Sequence, residues 1–415
     1  MRVKADIDLV RRQNRHIVLE ALRNYGPMPR VELGRKTGLS PASITSITTH
    51  LIEEQAMLEL NETSTRNPSR RGRPTVRVDL NPKAATVVAM KISIDGIELA
   101  LSDFRGNILG RKTVPLATYN FDPTKFGQAA AKEIRNFLID NDLAPDDIAR
   151  IGVASQGVAD TRNGVVAWSP AFKARNVPII EPLQSALGIP TTLSNDANMI
   201  AEGVMASDRQ RYSGTTAVVF MGYGIGMGLV IDGNVYHGSN GAAAEFGHMN
   251  HVPNGALCRC GRSGCLEAYA SDYGILRSAE NLPDDTLPPS SAVDRTVILA
   301  LQAAARRGDA DAVAAYQKAG RAIGFGLARL IALLNPNRIV LAGPGTQALD
   351  LIEPALRAAI EEGVVDELRR DVKIETVPIH TDMIITGTIG AALRHLDSEI
   401  FAFGPKANLT DPQEI

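Results

Sequence analysis

The three cysteines of this 415-residue chain lie close together, at Cys258, Cys260 and Cys265, and the rest of the sequence has none. Thiolate sulfur and imidazole nitrogen are the ligands of closed, tetrahedral zinc sites, and three cysteines with one histidine fill the four positions. His248 is the histidine that we assign to this set, with His251 as a competitor. Three buried thiols, or a disulfide beside one free thiol, are the alternatives. The cluster predicts a structural zinc ion as the cofactor.

The charged residues divide the chain into a basic head and an acidic body. Residues 1–80 carry 14 Lys and Arg against 9 Asp and Glu, whereas the remainder carries 30 against 37. A basic head favours contact with a polyanion. The sequence has no signal-peptide pattern and no apolar run of membrane-spanning length, so we expect no membrane partner. Clustered cysteines without a disulfide framework are typical of the reducing cytoplasm, which we predict as the location.

The head, residues 1–82, has the pattern of three helices. Residues 30–37 predict a short second helix, which Gly38 ends. Ser40 is a good N-cap, and Pro41 suits the first position of a third helix. The apolar residues that predict the first helix by their spacing are Val10, Ile17, Val18, Ala21 and Leu22.

The third predicted helix has one apolar and one polar face. Ile44, Ile47 and Leu51 share the apolar face. The outward positions carry small, mostly polar residues, namely Ala42, Ser43, Thr45, Ser46 and Thr49. A helix, a glycine turn and a second helix with such a face are typical of a helix-turn-helix, whose second helix enters the major groove of DNA. A helical hairpin with a solvated polar face is the alternative.

An arginine tract follows these helices. Residues 56–60 predict the first strand of a wing, and Arg70, Arg71 and Arg73 then surround a glycine. Arginines on an extended backbone suit contact with phosphates or insertion into a narrow minor groove. A solvated linker would explain the tract if it stood alone, but beside a helix-turn-helix it favours DNA. We therefore predict that residues 1–82 form a winged helix-turn-helix domain with an arginine-rich linker, which binds double-stranded operator DNA.

The body, residues 83–415, alternates strand-like and helix-like segments. A run of three consecutive strands occurs in each of two halves, which predicts an α/β body of two lobes with a ligand cleft between them. We assign residues 83–195 to the first lobe and residues 196–383, with the zinc loop, to the second. Residues 384–415 return to the first lobe through a last helix. The predicted strands span residues 86–92, 96–102, 108–116, 151–154, 191–194, 215–221, 226–231, 234–237 and 339–342.

The stretch around the cysteines resembles the signature of the ROK family (repressors, open reading frames and sugar kinases). The residues that carry the resemblance are Glu245-Phe-Gly-His248 and Cys258-x-Cys260-Gly-x-x-Gly-Cys265-Leu-Glu267. The resemblance implies an actin-like, ribonuclease-H-like sugar kinase fold over residues 83–398, with zinc held by the histidine and the cysteines. The head likewise resembles the winged-helix domain of the family's repressor branch, which includes N-acetylglucosamine and xylose repressors. Family kinases lack such a head.

The resemblance also implies a set of sugar-binding residues. Carboxylates and imidazole form directional hydrogen bonds to a polyol. Asp196 matches the base that deprotonates the attacking hydroxyl in family kinases. Capping of a helix is the alternative role for the residues at 195 and 196. The implied sugar-binding residues are Asn195, Asp196, Glu245, His248 and Glu267.

The phosphate-binding half of the family pattern is altered. Family kinases carry Asp-x-Gly-x-Thr on the first hairpin, and the matching positions here are Lys91, Ser93 and Asp95. Tyr223 stands in a second glycine loop where the family has a small hydroxyl residue, and Pro344 stiffens the loop that resembles the adenosine loop. We therefore expect no catalytic residue and no kinase reaction, although Lys91 could hold a phosphate.

These features predict a sugar-responsive transcriptional regulator, most simply a repressor. A sugar or sugar derivative closes the cleft, and the heads of a homodimer, or of a dimer of dimers, then lose the spacing that fits an operator. One alternative is an ATP-dependent sugar kinase with an added N-terminal segment. Another is a DNA-binding regulator that a protein partner controls. Release of ADP would indicate the kinase, and indifference to every sugar would indicate the partner-controlled regulator.

Overall fold

The computed structural model describes residues 2–60, 76–369, 372–377, 383–399 and 401, with side chains for all of these except residues 2–8 and 369. The helices are α1 (Arg2–Tyr25), α2 (Arg30–Thr37), α3 (Pro41–Glu53), α4 (Pro123–Ile139), α5 (Ile180–Leu187), α6 (Asp196–Ser207), α7 (Glu267–Ala270), α8 (Asp272–Ala279), α9 (Arg295–Arg306), α10 (Ala310–Leu334), α11 (Leu349–Gly363), α12 (Asp366–Arg369) and α13 (Met383–Glu399). The strands are β1 (Met28–Pro29), β2 (Met57–Leu60), β3 (Arg77–Leu80), β4 (Thr86–Ser93), β5 (Gly96–Asp103), β6 (Ile108–Pro115), β7 (Arg150–Ser155), β8 (Val158–Asp160), β9 (Val165–Trp168), β10 (Val177–Pro178), β11 (Thr191–Asn195), β12 (Thr216–Met221), β13 (Ile225–Ile231), β14 (Asn234–Val235), β15 (Arg338–Ala342) and β16 (Lys373–Thr376). Each strand predicted in the body is present, with both ends within two residues of the prediction.

The head combines α1, α2 and α3 with a three-stranded antiparallel sheet ordered β1-β3-β2. Gly38 ends α2 in the left-handed region at φ 71°, and the Ser40 side chain then caps α3 by accepting a hydrogen bond from the Ser43 N–H at 3.1 Å. The predicted inward residues of α3 are buried. Val10 differs from the prediction, since it is 54% exposed on the part of α1 that precedes the buried Val18. The arginines predicted to contact DNA, at positions 70, 71 and 73, lie outside the described residues.

The two large sheets of the body have the same topology. One sheet has the order β11-β7-β4-β5-β6, and the other has the order β14-β13-β12-β15-β16. In each, an antiparallel meander of three strands is extended by two parallel strands beside its first strand. Ligands of α/β proteins bind outside the carboxyl ends of such parallel strands. The residues that follow β7, β11, β12 and β15 are therefore the expected lining of a ligand site.

Helix α13 connects the head to the body. It packs against β4 and β7 on one side, against α6 on another, and against α1 of the head. One continuous apolar core joins Val18 and Leu22 of α1, Phe104 after β5, and Leu393 and Leu396 of α13. The head is therefore bound to the body through buried apolar surface and not only through the chain between β3 and β4.

Among the described residues, no helix combines the length and the apolar character that crossing a bilayer requires.

Candidate ligand cleft and metal centre

The metal-ligand side chains predicted from the sequence converge on one point. One ligand atom from each of His248, Cys258, Cys260 and Cys265 lies within 4.8 Å of the others. Sγ of Cys260 is 3.7 Å from Sγ of Cys265, and Sγ of Cys258 is 3.7 Å from Nδ1 of His248. A tetrahedral ion with metal–sulfur bonds of about 2.3 Å would set sulfur atoms roughly 3.8 Å apart. The donor set and its spacing therefore fit a four-coordinate metal of the zinc type.

The local chain folds tightly enough to bring these groups together. Cys258 N–H donates to the Arg262 carbonyl at 2.8 Å, and isolated bridges pair Leu257 with Ser263 and Asn250 with Cys265. Gly264 has φ 86°, and a Cβ at this position would overlap the Val252 carbonyl, so only glycine fits. The loop is thus a small folded unit, and its Leu257 N–H also ties it to the Asp284 carbonyl at 2.7 Å.

The electrostatics of the cluster also favour a bound cation. Hydrogen bonds from Cys258 and Cys265 hold the pKa of Cys260 well below its usual range. The same contacts raise the pKa of Cys258 well above its usual range. Sulfur atoms at this separation compete for protons because thiolates repel one another. A divalent cation removes the competition by binding all of them in the deprotonated form.

His251, the competing histidine, lies outside this cluster. Its ring packs edge-on to Tyr269 at a centroid distance of 5.2 Å and also faces Phe325. Burial and the positive charges of Arg329 and Arg321 lower its pKa. The structure therefore associates His248 and not His251 with the three sulfur atoms.

The five predicted sugar-binding residues line one cleft, beside the metal cluster. The cleft has a volume of about 590 Å³ and is open to solvent. Its walls come from the segments that follow β7 and β11, from the β12–β13 turn and from the metal loop, which is the segment between His248 and Cys265 that holds the four metal-ligand residues. Trp168 and Gln156 complete it on the first-lobe side.

Asn195 and Asp196 have different roles at the start of α6. Oδ1 of Asn195 caps the helix by accepting from the Ala197 N–H at 2.8 Å, and its Nδ2 donates to the Gly157 carbonyl at 2.5 Å. The Asp196 carboxylate accepts a hydrogen bond from the Tyr223 hydroxyl at 3.1 Å. Burial raises the pKa of Asp196 to about 6, against the lowering effect of the Tyr223 hydrogen bond. Asn195 therefore shapes the cleft, while Asp196 keeps acceptor capacity for a ligand.

Glu245 directly precedes the short helical turn Phe246–His248, and His248 ends it. Oε2 of Glu245 is 3.9 Å from Nε2 of His248, a gap that a ligand hydroxyl can bridge. Burial raises the pKa of Glu245 to about 7, and His248 opposes this shift. A Cβ on Gly247 would overlap the Ile225 carbonyl, so glycine lets the turn lie directly on β13. His248 thus presents Nδ1 to the metal cluster and Nε2 to the cleft.

Glu267 links the metal loop to the second sheet. Its Oε2 accepts from the Ile225 N–H at 3.2 Å, and its Oε1 accepts from the Tyr273 hydroxyl at 3.2 Å. The same hydroxyl lies 3.6 Å from the Cys258 sulfur. Glu267 is buried, so it supports the cleft wall while retaining lone pairs toward the cleft.

A second cavity adjoins the cleft on the other side of Tyr223. It has a volume of about 1600 Å³, and Lys91, Ser93 and Asp95 of the β4–β5 hairpin line it together with Pro344. Lys91 pairs with Glu98 across the hairpin at 3.5 Å. The Ser93 hydroxyl donates to the Gly96 carbonyl at 3.1 Å. The altered positions of the phosphate motif therefore share one cavity, and two of their polar side chains are bonded within the hairpin.

Sequence reasoning did not find several residues that complete the site. The Tyr273 hydroxyl donates to the Glu267 carboxylate. The Arg259 guanidinium donates through Nη1 to the Tyr223 carbonyl at 3.2 Å. The Trp168 ring meets the His248 ring edge-on at 5.2 Å. Only Arg259 had a signal in the sequence, since it stands between two metal-ligand cysteines. The contact between Trp168 and His248 joins segments that are distant in the chain.

Comparison with known proteins places the chain among relatives that match most of its length. It is 27% identical over 93% of its length to the DNA-binding transcriptional repressor Mlc of Escherichia coli strain K12, of which 94% is covered. It is 25% identical over 89% of its length to the N-acetylglucosamine repressor of E. coli O6:H1, of which 89% is covered. The crystal structure of a ROK family transcriptional regulator, a homologue of E. coli Mlc, matches 94% of this chain and 97% of that chain, with a TM-score of 0.76 and 26% identity.

Sugar kinases match a smaller share of the chain than the repressors do. A ROK hexokinase from Thermus thermophilus is matched over 97% of its length by 74% of this chain, with a TM-score of 0.57 and 25% identity. The likeness identifies the body as an actin-like fold of the sugar kinase type. The family model that describes the ROK family matches residues 87–396. The chain therefore belongs to the ROK family.

Proposed function

We propose that this protein is a sugar-responsive transcriptional repressor, which binds operator DNA through its head and a sugar or sugar derivative in the cleft beside the metal loop. The observation that carries the proposal is the extent of the similarity. The match to a DNA-binding repressor spans 93% of this chain, whereas the match to a ROK hexokinase spans 74% of it. The family model begins at residue 87, so the head lies outside the part that it describes.

The geometry of the head supports DNA binding. The α2–turn–α3 unit has the order and capping of a helix-turn-helix, and β2 and β3 flank the segment that we assign to a wing. Thr45, Ser46 and Thr49 are exposed on α3, with Ala42 at its start. Small polar side chains on such a helix can reach base edges in the major groove. Ser43 is bonded to the N-cap, so its proposed role is to fix the start of the helix.

The cleft supports binding of a polyol. Asp196, Glu245 and Glu267 offer carboxylate acceptors, and Nε2 of His248 faces the same space. Zinc, if it is the metal, would hold the loop that carries two of these groups and would leave them oriented toward the ligand. We assign no phosphoryl transfer to Asp196, although it matches the kinase base.

Separate ion pairs connect α6 and α13 with each other and with α1 of the head. Helix α6 begins at Asp196, and Arg209, just beyond its end, pairs with Glu20 of α1. Arg394 of α13 pairs with Glu202 of α6. On the same helix Asp397, which is fully buried, pairs with Arg23 of α1 at 3.0 Å. If ligand binding moves α6, these ion pairs would transmit the movement to α1.

Oligomeric state is part of the proposal. A homodimer, or a dimer of dimers, would place two heads at a fixed spacing that matches two operator half-sites. Ligand binding that favours a different orientation of α1 would shift the population away from the DNA-competent state by its differential affinity. The proposal thus makes the body a sensor and the head its output.

The proposal is tested by DNA selection followed by effector release. Full-length protein is used to select its preferred duplex from random sequences, and fluorescence anisotropy then measures affinity with and without each sugar of a panel. The selected sites are expected to be near-palindromic, and one sugar is expected to weaken binding at least tenfold. Indifference to every sugar would favour control by a protein partner.

Variants of the head locate the DNA interface. Ser46→Ala and Thr49→Ala are expected to change the selected sequence. Arg70→Ala, Arg71→Ala and Arg73→Ala are each expected to weaken binding to most sequences and to reduce the salt slope by about 1. Arg357→Ala is the matched control, because this arginine is exposed and pairs only locally with Glu353 on α11. An unchanged salt slope in all three tract variants would make the tract a linker.

A further inference from the structure

The charged groups of the cleft are arranged for a ligand without negative charge. Three carboxylates line it, from Asp196, Glu245 and Glu267. Arg259 is the one Lys or Arg that lines it among the residues the structure describes. Its guanidinium is turned to backbone carbonyls, those of Tyr223 at 3.2 Å and Ser291 at 3.3 Å, and lies over the Tyr273 ring. The three carboxyl groups outnumber the donors that Arg259 and His248 could direct into the cleft, so the lining favours a ligand that donates hydroxyl groups.

The start of α6 is not available to a phosphate. Free backbone N–H groups at a helix N-terminus form a common anion site. Here the Asn195 side chain accepts from the N–H groups of Ala197 at 2.8 Å and Asn198 at 3.3 Å. The Asp196 carboxylate lies at the same end of the helix. Two of the donors that would hold a phosphate are therefore already used, and the Asp196 carboxylate lies beside them.

Tyr223 closes the cleft next to Asp196. Its hydroxyl donates to Oδ2 of Asp196 at 3.1 Å, and its ring packs on Phe220 at a centroid distance of 5.4 Å. Both aromatic residues line the cleft and also the second cavity, so they form a wall between them. The Gly222 N–H donates to the Gly224 carbonyl at 3.1 Å, and Arg259 holds the Tyr223 carbonyl. The ring is therefore fixed at the point where a substituent beyond Asp196 would extend.

We propose that the cleft binds a sugar with free hydroxyl groups and rejects its phosphate ester, with Tyr223 as the specificity-determining residue. A phosphate would add roughly two negative charges to a cleft that is lined by carboxylates. It would also need the space that the Tyr223 ring fills. A hydroxyl at the same place donates to Asp196 without either cost. The inference rests on the proposed sugar response and adds the chemical state of the effector.

Calorimetry on the full-length protein tests this directly. The probes are glucose, mannose, galactose and N-acetylglucosamine, each with its 6-phosphate, and xylose as a pentose. For the hexose that binds, the 6-phosphate is expected to bind at least about 100-fold more weakly, because charge repulsion at an effective dielectric of about 20 is strong over these distances. Tyr223→Ser, which opens the wall, is expected to narrow that difference at least tenfold. Tyr223→Phe, which keeps the ring, is expected to preserve it.

Each outcome decides between the two levels of the proposal. A 6-phosphate that binds wild-type protein as tightly as the free sugar overturns this inference and leaves the sugar response intact. No binding by any sugar or ester, with no release of operator DNA, removes the sugar response and the inference together. A Tyr223→Ser protein that melts like wild type yet keeps the full difference would remove Tyr223 from the assignment. If Tyr223→Ser does not fold, Glu245→Gln takes its place, since loss of one carboxylate charge must then improve the relative affinity of the ester.

Discussion

The two cavities on either side of Tyr223 differ in what their polar groups are free to do. In the cleft, the carboxylates of Asp196 and Glu245 and Nε2 of His248 face open space, with the metal cluster behind them. In the second cavity, Lys91 is paired with Glu98 and Ser93 is bonded to Gly96. Much of the remaining lining there is apolar. The comparison supports our proposal that the protein keeps the ligand-binding half of a sugar kinase site and does not use the half that manages phosphates.

Loss of a metal ligand is expected to have the largest effect, and only on the cleft side. Cys260→Ser should reduce the metal content from about one zinc per chain to near zero, because three ligands hold zinc far less tightly than four. Sugar affinity should then fall by roughly 100-fold or more, since the loop no longer fixes Glu245 and His248. Elemental analysis and calorimetry provide the two measurements.

The histidines supply the control for this experiment. His251→Gln should keep the metal, because His251 packs on Tyr269 and does not reach the sulfur atoms. Freshly prepared, reduced wild-type protein without bound metal would contradict the assignment.

Removal of a single acceptor in the cleft is expected to have the next largest effect. Asp196→Asn and Glu245→Ala each remove a charged hydrogen bond, for which about 1.5–3 kcal/mol is typical, so effector affinity should fall by tenfold or more. Operator affinity without sugar should not change. Ser93→Ala is the matched change in the second cavity, because the Ser93 hydroxyl is bonded within the hairpin, and it should leave effector affinity as it is. Equal losses of effector affinity from variants in the cleft and from the variant in the second cavity would contradict the comparison.

The ion pair between Arg209, just beyond α6, and Glu20 of α1 is expected to couple sugar binding to operator binding. Its loss should reduce the factor by which sugar weakens operator binding by about fivefold. Coupling free energies between sites are typically about 1–3 kcal/mol. Arg209→Ala and Glu20→Ala should each reduce the factor by which sugar weakens operator binding, while sugar affinity of the DNA-free protein changes little. The double variant should add little to either single change, because both remove the same contact. Strictly additive losses would show that the pair does not act as a unit.

The pH dependence of effector binding should show the titration of Asp196. With a pKa of about 6 in the free protein, Asp196 is ionised at neutral pH and gains a proton as the pH falls. Protonation replaces an acceptor by a donor, so affinity should fall about fourfold between pH 7.5 and 5.5. Tyr223 and Lys91 face this carboxylate and lower its pKa, and Glu245 also titrates nearby. The difference between wild-type and Asp196→Asn profiles isolates the contribution of Asp196.

Kinase activity is where the smallest signal is expected. Phosphoryl transfer depends on positioning and on cations that neutralise the phosphates, and the second cavity offers Lys91 beside Asp95. A coupled ADP-release assay with Mg–ATP and each bound sugar should show no turnover above background. Turnover of roughly 1–100 per second that Asp196→Asn abolishes would contradict this interpretation. Any activity gained by combining Lys91→Asp, Ser93→Gly and Asp95→Thr would sharpen it.

The local parts of the molecule were readable from the sequence. The metal cluster depends on cysteines only a few residues apart and on glycines that allow a tight loop, so its members were predictable. Strands β12, β13 and β14 followed from apolar runs around a turn at Asp232, which has φ 51°. The start of α6 followed from Asn195 and Asp196 at the end of a strand.

The long-range parts were not readable. Asp397 pairs with Arg23 across most of the chain, and no periodicity marks either residue as a partner. Nothing in the sequence around Trp168 marks its contact with the His248 ring. The short sheet of β8, β9 and β10 was missed because its strands have two to four residues each. Contacts of this kind are decided by packing and not by local pattern.

The shared core of α1, β4 and α13 has a consequence for how the protein unfolds. Val18 and Leu396 bury against one apolar core although they lie at opposite ends of the chain, so neither the head nor the first lobe can lose its structure without exposing the other. Residues 1–82 and the first lobe should therefore melt in a single cooperative transition. An isolated head would leave its α13-facing surface in water and would be prone to self-association. In thermodynamic terms, the DNA-binding part of this repressor folds together with its sensor and not as an independent unit.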